Sequence, residues 1–158
     1  MRLVLVHPRI PQNAGAAARL AAATGASLAL VRPLGFRVDE RAVRRSGMDY
    51  WPMTDTRVVD SLDEALADLE GTAWFFSKRA RRSYLDARYS SGDALVFGSE
   101  TEGLPADLMA SQPEERLLRI PMLNPQARSL NLAASCAIAL YEALRQTGAL
   151  DTPPPRSF

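Results

Sequence analysis

Short apolar runs alternate with helical patterns along the whole chain. "RLVLV" (Arg2 to Val6), "SLALV" (Ser27 to Val31), "TRVV" (Thr56 to Val59), "TAWFF" (Thr72 to Phe76), "DALVF" (Asp93 to Phe97) and "RLLRI" (Arg116 to Ile120) each read as a strand. Most are apolar without a polar side, so both faces should be covered, as in a parallel sheet. Between them, "NAGAAARLAAATG" opens on Asn13, a residue suited to capping, and stops at Gly25, while "SLDEALADLEG" carries a Ser61/Glu64 capping box and stops at Gly71. "LPADLMAS" begins with Pro105 in its first turn. The longest helical pattern, "SLNLAASCAIALYEALRQTG", runs from Ser129 to near Gly148. Its Leu130, Ala134, Ala137, Ile138, Tyr141 and Leu144 recur at spacings of three and four, so that side is expected to be buried.

This order predicts an α/β fold: one open, mainly parallel six-stranded sheet with helices on both faces, spanning residues 1–150, followed by a flexible Pro-rich tail, "DTPPPRSF", over 151–158. Ligands of such sheets bind beyond the carboxyl ends of the strands. Three strand ends carry unusual loops: "SKRARRS" after Phe76, "GSETEG" after Phe97 and "PMLNPQARSLN" after Ile120. Neither GxGxxG nor GxxxxGK[ST] follows the first strand, where "HPRIPQNAG" stands, so the usual dinucleotide and P-loop readings lack their phosphate cradle. In "FGSETEGLP" two glycines bracket polar groups, which suggests a backbone at Gly98 kept bare for a ligand and a turn completed at Gly103.

At 158 residues and 47% hydrophobic, the chain can bury one ordinary core. No run is long enough for a membrane span, and Arg2 leads into a strand rather than a signal peptide, so a cytoplasmic protein with no membrane partner is expected. The lone Cys136 sits in "AASCAIAL" and reads as core; the lone His7 reads as a strand-end residue, and no metal is expected. Net charge is +1, yet 18 of the 19 basic residues are arginine, and several cluster, in "RAVRR" (Arg41 to Arg45) and "KRARR" (Lys78 to Arg82). Lys78, Arg79, Arg81, Arg82, Arg44 and Arg45 are candidate RNA-backbone contacts because guanidinium pairs with phosphate bidentately. Charge alone favours the plainer reading of solvated loops.

"PQNAGAAAR" (Pro11 to Arg19), "FGSETEGLP", "IPM" (Ile120 to Met122) and "RSLNLAAS" (Arg128 to Ser135), in this order and spacing, resemble the SPOUT family of RNA methyltransferases. Within it the chain is most similar to the small single-domain tRNA (cytidine(34)-2'-O)-methyltransferases, from Leu3 to about Leu144, including "PLGF" and "RRSGMDYW". The resemblance implies a deep C-terminal trefoil knot, S-adenosyl-L-methionine as cofactor with S-adenosyl-L-homocysteine as product, a tRNA anticodon stem-loop as substrate, and a homodimer with a shared active site. It implies cofactor binding by Phe76, Gly98, Gly103, Ile120, Met122, Ser129 and Leu130, catalysis by Arg19 with Ser129, Asn13, Glu100 and Asn131, and a dimer contact at Tyr141.

The reaction so implied transfers a methyl group to the ribose 2'-hydroxyl of the wobble nucleotide, cytidine 34 or a modified uridine 34. Another tRNA or rRNA ribose site, or a knotted RNA-binding or assembly protein without turnover, stands as the alternative. Guanidinium cannot readily accept a proton at neutral pH, so Arg19 would grip the adjacent phosphate and stabilise the developing oxyanion, with phosphate or water carrying the proton. Each polar candidate also has a plainer reading. Asn13 could cap its own helix, Glu100 the helix that Pro105 opens, and Ser129 and Asn131 the last helix. The chain departs from its likeness at Glu102, where close relatives often carry a basic residue, and in "LNPQA", one residue longer than usual.

Overall fold

Strands that are apolar on both sides need helices over both faces of their sheet, and the computed structural model, which describes residues 1–38 and 50–151, has them. The strands are β1 (Arg2–Val6), β2 (Ser27–Val31), β3 (Thr56–Val59), β4 (Ala73–Phe76), β5 (Arg82–Ser83), β6 (Ala94–Phe97) and β7 (Leu117–Arg119). The helices are α1 (Pro11–Thr24), α2 (Leu62–Leu66), α3 (Ala106–Ser111) and α4 (Leu132–Gln146). Sheet order is β3-β2-β1-β6-β4-β7-β5, and every pairing is parallel. All six expected strands form; β5 adds a seventh at the edge, too short to leave a periodicity in the sequence.

Successive side chains feed two cores. Leu3, Leu5, Leu28, Leu30, Leu95 and Phe97 share one with α1 and α4. Val4, Val6, Ala29, Val31, Val96 and Phe75 share the other with α2 and α3. Ala14, Ala17, Ala18 and Ala21 of α1 and Cys136, Ala139 and Ala143 of α4 are fully buried, and these small side chains let the two helices lie against each other. Burial pushes the Cys136 thiol up, as suits a core cysteine. His7 stands just past β1, its amide donating to the Val31 carbonyl at 3.0 Å.

Several helix ends differ from the sequence expectation. Helix α1 starts at Pro11 with Ile10 in the capping position, so Asn13 is a buried first-turn residue and not the N-cap. Helix α2 has its capping box, with Ser61 Oγ accepting from the Glu64 amide at 3.1 Å, but ends at Leu66, well before Gly71. Pro105 occupies the N-cap of α3. Helix α4 begins after Asn131, whose Oδ1 accepts from the Ala134 amide at 3.1 Å, leaving Ser129 and Leu130 in the preceding loop.

The expected α4 stripe does not face the sheet. Leu130, Ala134, Ile138 and Tyr141 are exposed, and only Leu144 of the six expected residues is buried. The face that meets the sheet carries Leu132, Cys136, Ala139, Leu140, Ala143 and Leu144. A helix apolar nearly all round supports two stripes of equal spacing, and only packing selects between them. The tail is described only as far as Asp151, and Arg44 and Arg45 lie outside the described residues. Among the described residues no helix is long and apolar enough to cross a membrane.

Strand β7 lies between β4 and β5, both earlier in the chain. Phe76 of β4 and Arg82 of β5 are register partners of the same residue, Leu118, so Ser77 to Arg81 cross a face of β7. A later strand therefore runs beneath an earlier crossover, the kind of threading a knotted chain requires.

At the opposite end of the sheet Asp93, 2% exposed, accepts from the Thr72 amide at 2.8 Å, the Ser90 amide at 2.9 Å and Trp74 Nε1 at 2.7 Å. Removing the carboxylate strands three donors, one of them buried. Asp93→Ala should therefore lower the unfolding free energy by about 2–4 kcal/mol, read from urea denaturation.

Candidate active site

The carboxyl ends of β4, β6 and β7 open into a cleft of about 380 Å³, within the range of small-molecule sites. Phe76, Gly98, Gly103, Ile120, Met122, Ser129 and Leu130, drawn from three loops far apart in sequence, all line it, as does Glu100. One wall is aromatic: Phe76 and Phe97 stack at 4.6 Å between centroids with 17° between planes. Ser77, Ser99, Leu132 and Ser135 are among its other lining residues. Sequence reasoning missed these four; Ser135, one turn after Asn131, could have been found from helical spacing.

Gly98 is bare for a different reason from the one expected. A Cβ built there would lie 1.9 Å from the Gly103 carbonyl carbon and 2.1 Å from the Leu104 amide nitrogen. The loop's own returning backbone fills that space. Ser99 and Gly103 exchange backbone bonds at 3.1 and 2.9 Å, and Ser99 Oγ accepts from the Glu102 amide at 3.2 Å. Gly103 has open space around it and is needed for its φ of 73°.

Glu100 joins the loop after β6 to the start of α1. Its carboxylate accepts from the Arg9 amide at 2.8 Å, the Ile10 amide at 3.1 Å and Asn13 Nδ2 at 2.9 Å. The helix it caps is thus α1, which follows the neighbouring strand β1, and not α3, which Pro105 opens. Asn131 Nδ2 in turn donates to Asn13 Oδ1 at 2.9 Å. Asn131, Asn13 and Glu100 therefore form one hydrogen-bonded line between the start of α4 and the cleft. Burial pushes the Glu100 carboxyl up, but bonds from Asn13, Arg9, its own amide and Ile10 outweigh this and hold it below its ordinary value.

Arg19 is exposed on α1, its guanidinium carbon 4.7 Å from the centroid of the Tyr50 ring, and it is not part of the cleft lining. The basic loop after β4 divides. Lys78 Nζ donates to the Arg128 carbonyl at 3.1 Å, and Arg82 donates to the carbonyls of Glu115 and Asp86 while lying over Trp74. Arg82 is therefore used by the fold. Arg79 and Arg81 are exposed, and Arg81 makes only a long surface pair with Glu114 at 3.6 Å. Glu102 pairs with Arg9 at 3.2 Å on the cleft rim. Among the described residues no cluster of three or more His, Cys, Asp or Glu could hold a metal ion.

Residues 1–141 match the SpoU rRNA Methylase family. The tRNA (cytidine(34)-2'-O)-methyltransferase of Burkholderia cenocepacia is 44% identical over 149 residues, 92% of this chain and 95% of its own. A solved structure described as giving insight into 2'-OH methylation of C/U34 on tRNA superposes with a TM-score of 0.82 at 48% identity, covering 92% of this chain and 94% of the other. The SpoU methyltransferase AviRb of Streptomyces viridochromogenes, solved with AdoMet, has the same fold at TM-score 0.78 and 24% identity, covering 92% of this chain and 57% of its own.

The two glycines should respond differently to the same change. Gly103→Ala should cost about 1 kcal/mol for its left-handed backbone. Gly98→Ala should cost more and loosen the loop, seen as faster amide exchange from Ser99 to Leu104. Glu100 gives a pH signature. Its folded pKa is depressed, so its stabilisation is complete above the ordinary glutamate value of 4.5 and is lost as pH falls through the folded value. Glu100→Gln should flatten that acid-side loss in denaturation curves measured from pH 7 downward.

Proposed function

The chain belongs to the SpoU rRNA methylase family, and from that premise we propose that it transfers a methyl group from S-adenosyl-L-methionine to the ribose 2'-hydroxyl of the tRNA wobble nucleotide, cytidine 34 or a modified uridine 34. The observation that carries this reading is the convergence of three separate loops on one cleft, with Glu100, Asn13 and Asn131 hydrogen-bonded beside it. The lining fits the cofactor. Phe76, Phe97, Ile120 and Leu130 offer an apolar and aromatic slot for a purine, and the Ser77, Ser99, Ser129 and Ser135 hydroxyls can bond its polar parts. When bound, the cofactor supplies a methyl group on a sulfonium.

The protein's own part is alignment and charge. The 2'-oxygen must be held in line and must lose its proton to phosphate or water as the bond forms. Arg19, permanently charged, grips the phosphate and stabilises the oxyanion; Ser129 holds cofactor and ribose from the cleft side. Asn13 and Asn131 keep the first turn of α1 and the start of α4 in fixed relation. Arg79, exposed on the cleft rim, and Arg81 beside it are the members of the basic loop best placed to meet tRNA phosphates.

Two facts support a homodimer with a shared site. Arg19 lies about 9 Å further along α1 than Asn13, outside the cleft of its own chain. The exposed face of α4, with Ile138 37% and Tyr141 47% accessible, offers an apolar surface to a second copy. In that assembly Arg19 of one subunit serves the cofactor cleft of the other.

Ribose-methylation mapping of tRNA incubated with the protein and S-adenosylmethionine should show one new mark, at nucleotide 34. A mark elsewhere overturns the site but not the chemistry. Arg19→Ala should abolish transfer and leave cofactor affinity within about twofold, by calorimetry. Refolding Arg19→Ala together with Ser129→Ala should restore activity, because each mixed dimer then holds one site with both residues intact. A dead mixture containing mixed dimers by mass spectrometry overturns the shared site.

A further inference from the structure

We infer that Tyr50 is a positioning residue for methyl transfer, holding the Arg19 guanidinium against its ring face in the orientation the reaction uses; this rests on Arg19 acting as proposed above. The guanidinium carbon stands 4.7 Å from the Tyr50 ring centroid, inside the range at which a cation is attracted to an aromatic face. The contact suits the task. A carboxylate partner would occupy the in-plane N–H donors with which arginine bonds a phosphate or an oxyanion, whereas a ring face holds the cation and takes up none of them.

The backbone that carries the ring is held in place. Tyr50 precedes a 3₁₀ turn, Trp51–Met53, which packs against α1, the helix that carries Arg19. The Tyr50 carbonyl accepts from the Met53 amide at 3.0 Å. Trp51 packs on the core that α1 shares with the sheet. Thr54 closes the turn, its Oγ1 donating to the Trp51 carbonyl at 3.1 Å. Arginine side chains lose much rotamer freedom when held in one place, and a preset ring removes that loss from the step in which the transition state is gripped. Tyr50 touches neither cofactor nor ribose in this account; it acts through Arg19.

The test varies the electron density of the ring at nearly constant shape. Tyr50 is replaced by phenylalanine and by phenylalanine carrying one, two or three ring fluorines, and kcat and KM for tRNA are measured with cofactor affinity and thermal midpoint. Tyr50→Phe should keep kcat within about twofold of wild type, and kcat should then fall stepwise with fluorination, by roughly tenfold across the series. Cofactor affinity should stay constant. Tyr50→Leu, which keeps apolar bulk but has no ring, should match the bottom of the series. A flat series, or a loss in Tyr50→Phe equal to that in Tyr50→Leu, overturns the inference. Arg19→Ala in the same assay separates the two levels: full activity there removes the role given to Arg19, whereas a dead Arg19→Ala beside a flat series removes only that given to Tyr50.

Discussion

The carboxylate of Glu100 is the tie on which the site depends. It belongs to the loop after β6 yet is bonded by two amides and a side chain at the start of α1, 2.8 to 3.1 Å away. The Arg9 and Ile10 amides stand just before α1, outside its own hydrogen-bond ladder, and need an acceptor. Glu100 meets that need and in doing so fixes one wall of the cleft to the helix that bears Arg19. Asn131 extends the same line to the start of α4. One charge thus sets the relation of three segments that are far apart in the chain.

Threading gives those segments their places. Because β7 runs beneath the crossover from Ser77 to Arg81, the loop after β7 emerges beside the loop after β4, and Lys78 reaches across to the Arg128 carbonyl. An unthreaded sheet could hold the same strands without joining these loops. Arg82, which the sequence groups with its basic neighbours, is drawn inward by two carbonyls and Trp74 and secures the edge strand. Charge and burial sort the cluster into residues used by the fold and residues left facing solvent.

Gly98 and Glu100 both show a side of the loop that composition hides. The cleft is shaped by backbone folding back on backbone at Ser99 and Gly103, and the missing Cβ of Gly98 makes room for that return. What a ligand meets there is a rigid turn. Rigidity of this kind favours binding, because less freedom is lost when the ligand arrives.

Sequence by itself determined the six principal strands, their parallel arrangement and the three loops that form the cleft, because apolar runs without a polar side can be satisfied only between two layers of helices. Periodicity located the strand ends, while the resemblance to a known family, and not the spacing, picked out Phe76, Gly98, Ile120 and Ser129 among the residues that line the cleft. Sequence did not determine which stripe of α4 faces the sheet, which helix Glu100 caps, or why Gly98 lacks a side chain. Local pattern records how often apolar or polar groups recur along the chain, and these three outcomes depend on what lies opposite in space. Tyr50 under Arg19 is of the same kind: a contact between segments that no spacing connects, decided only when the 3₁₀ turn docks on α1.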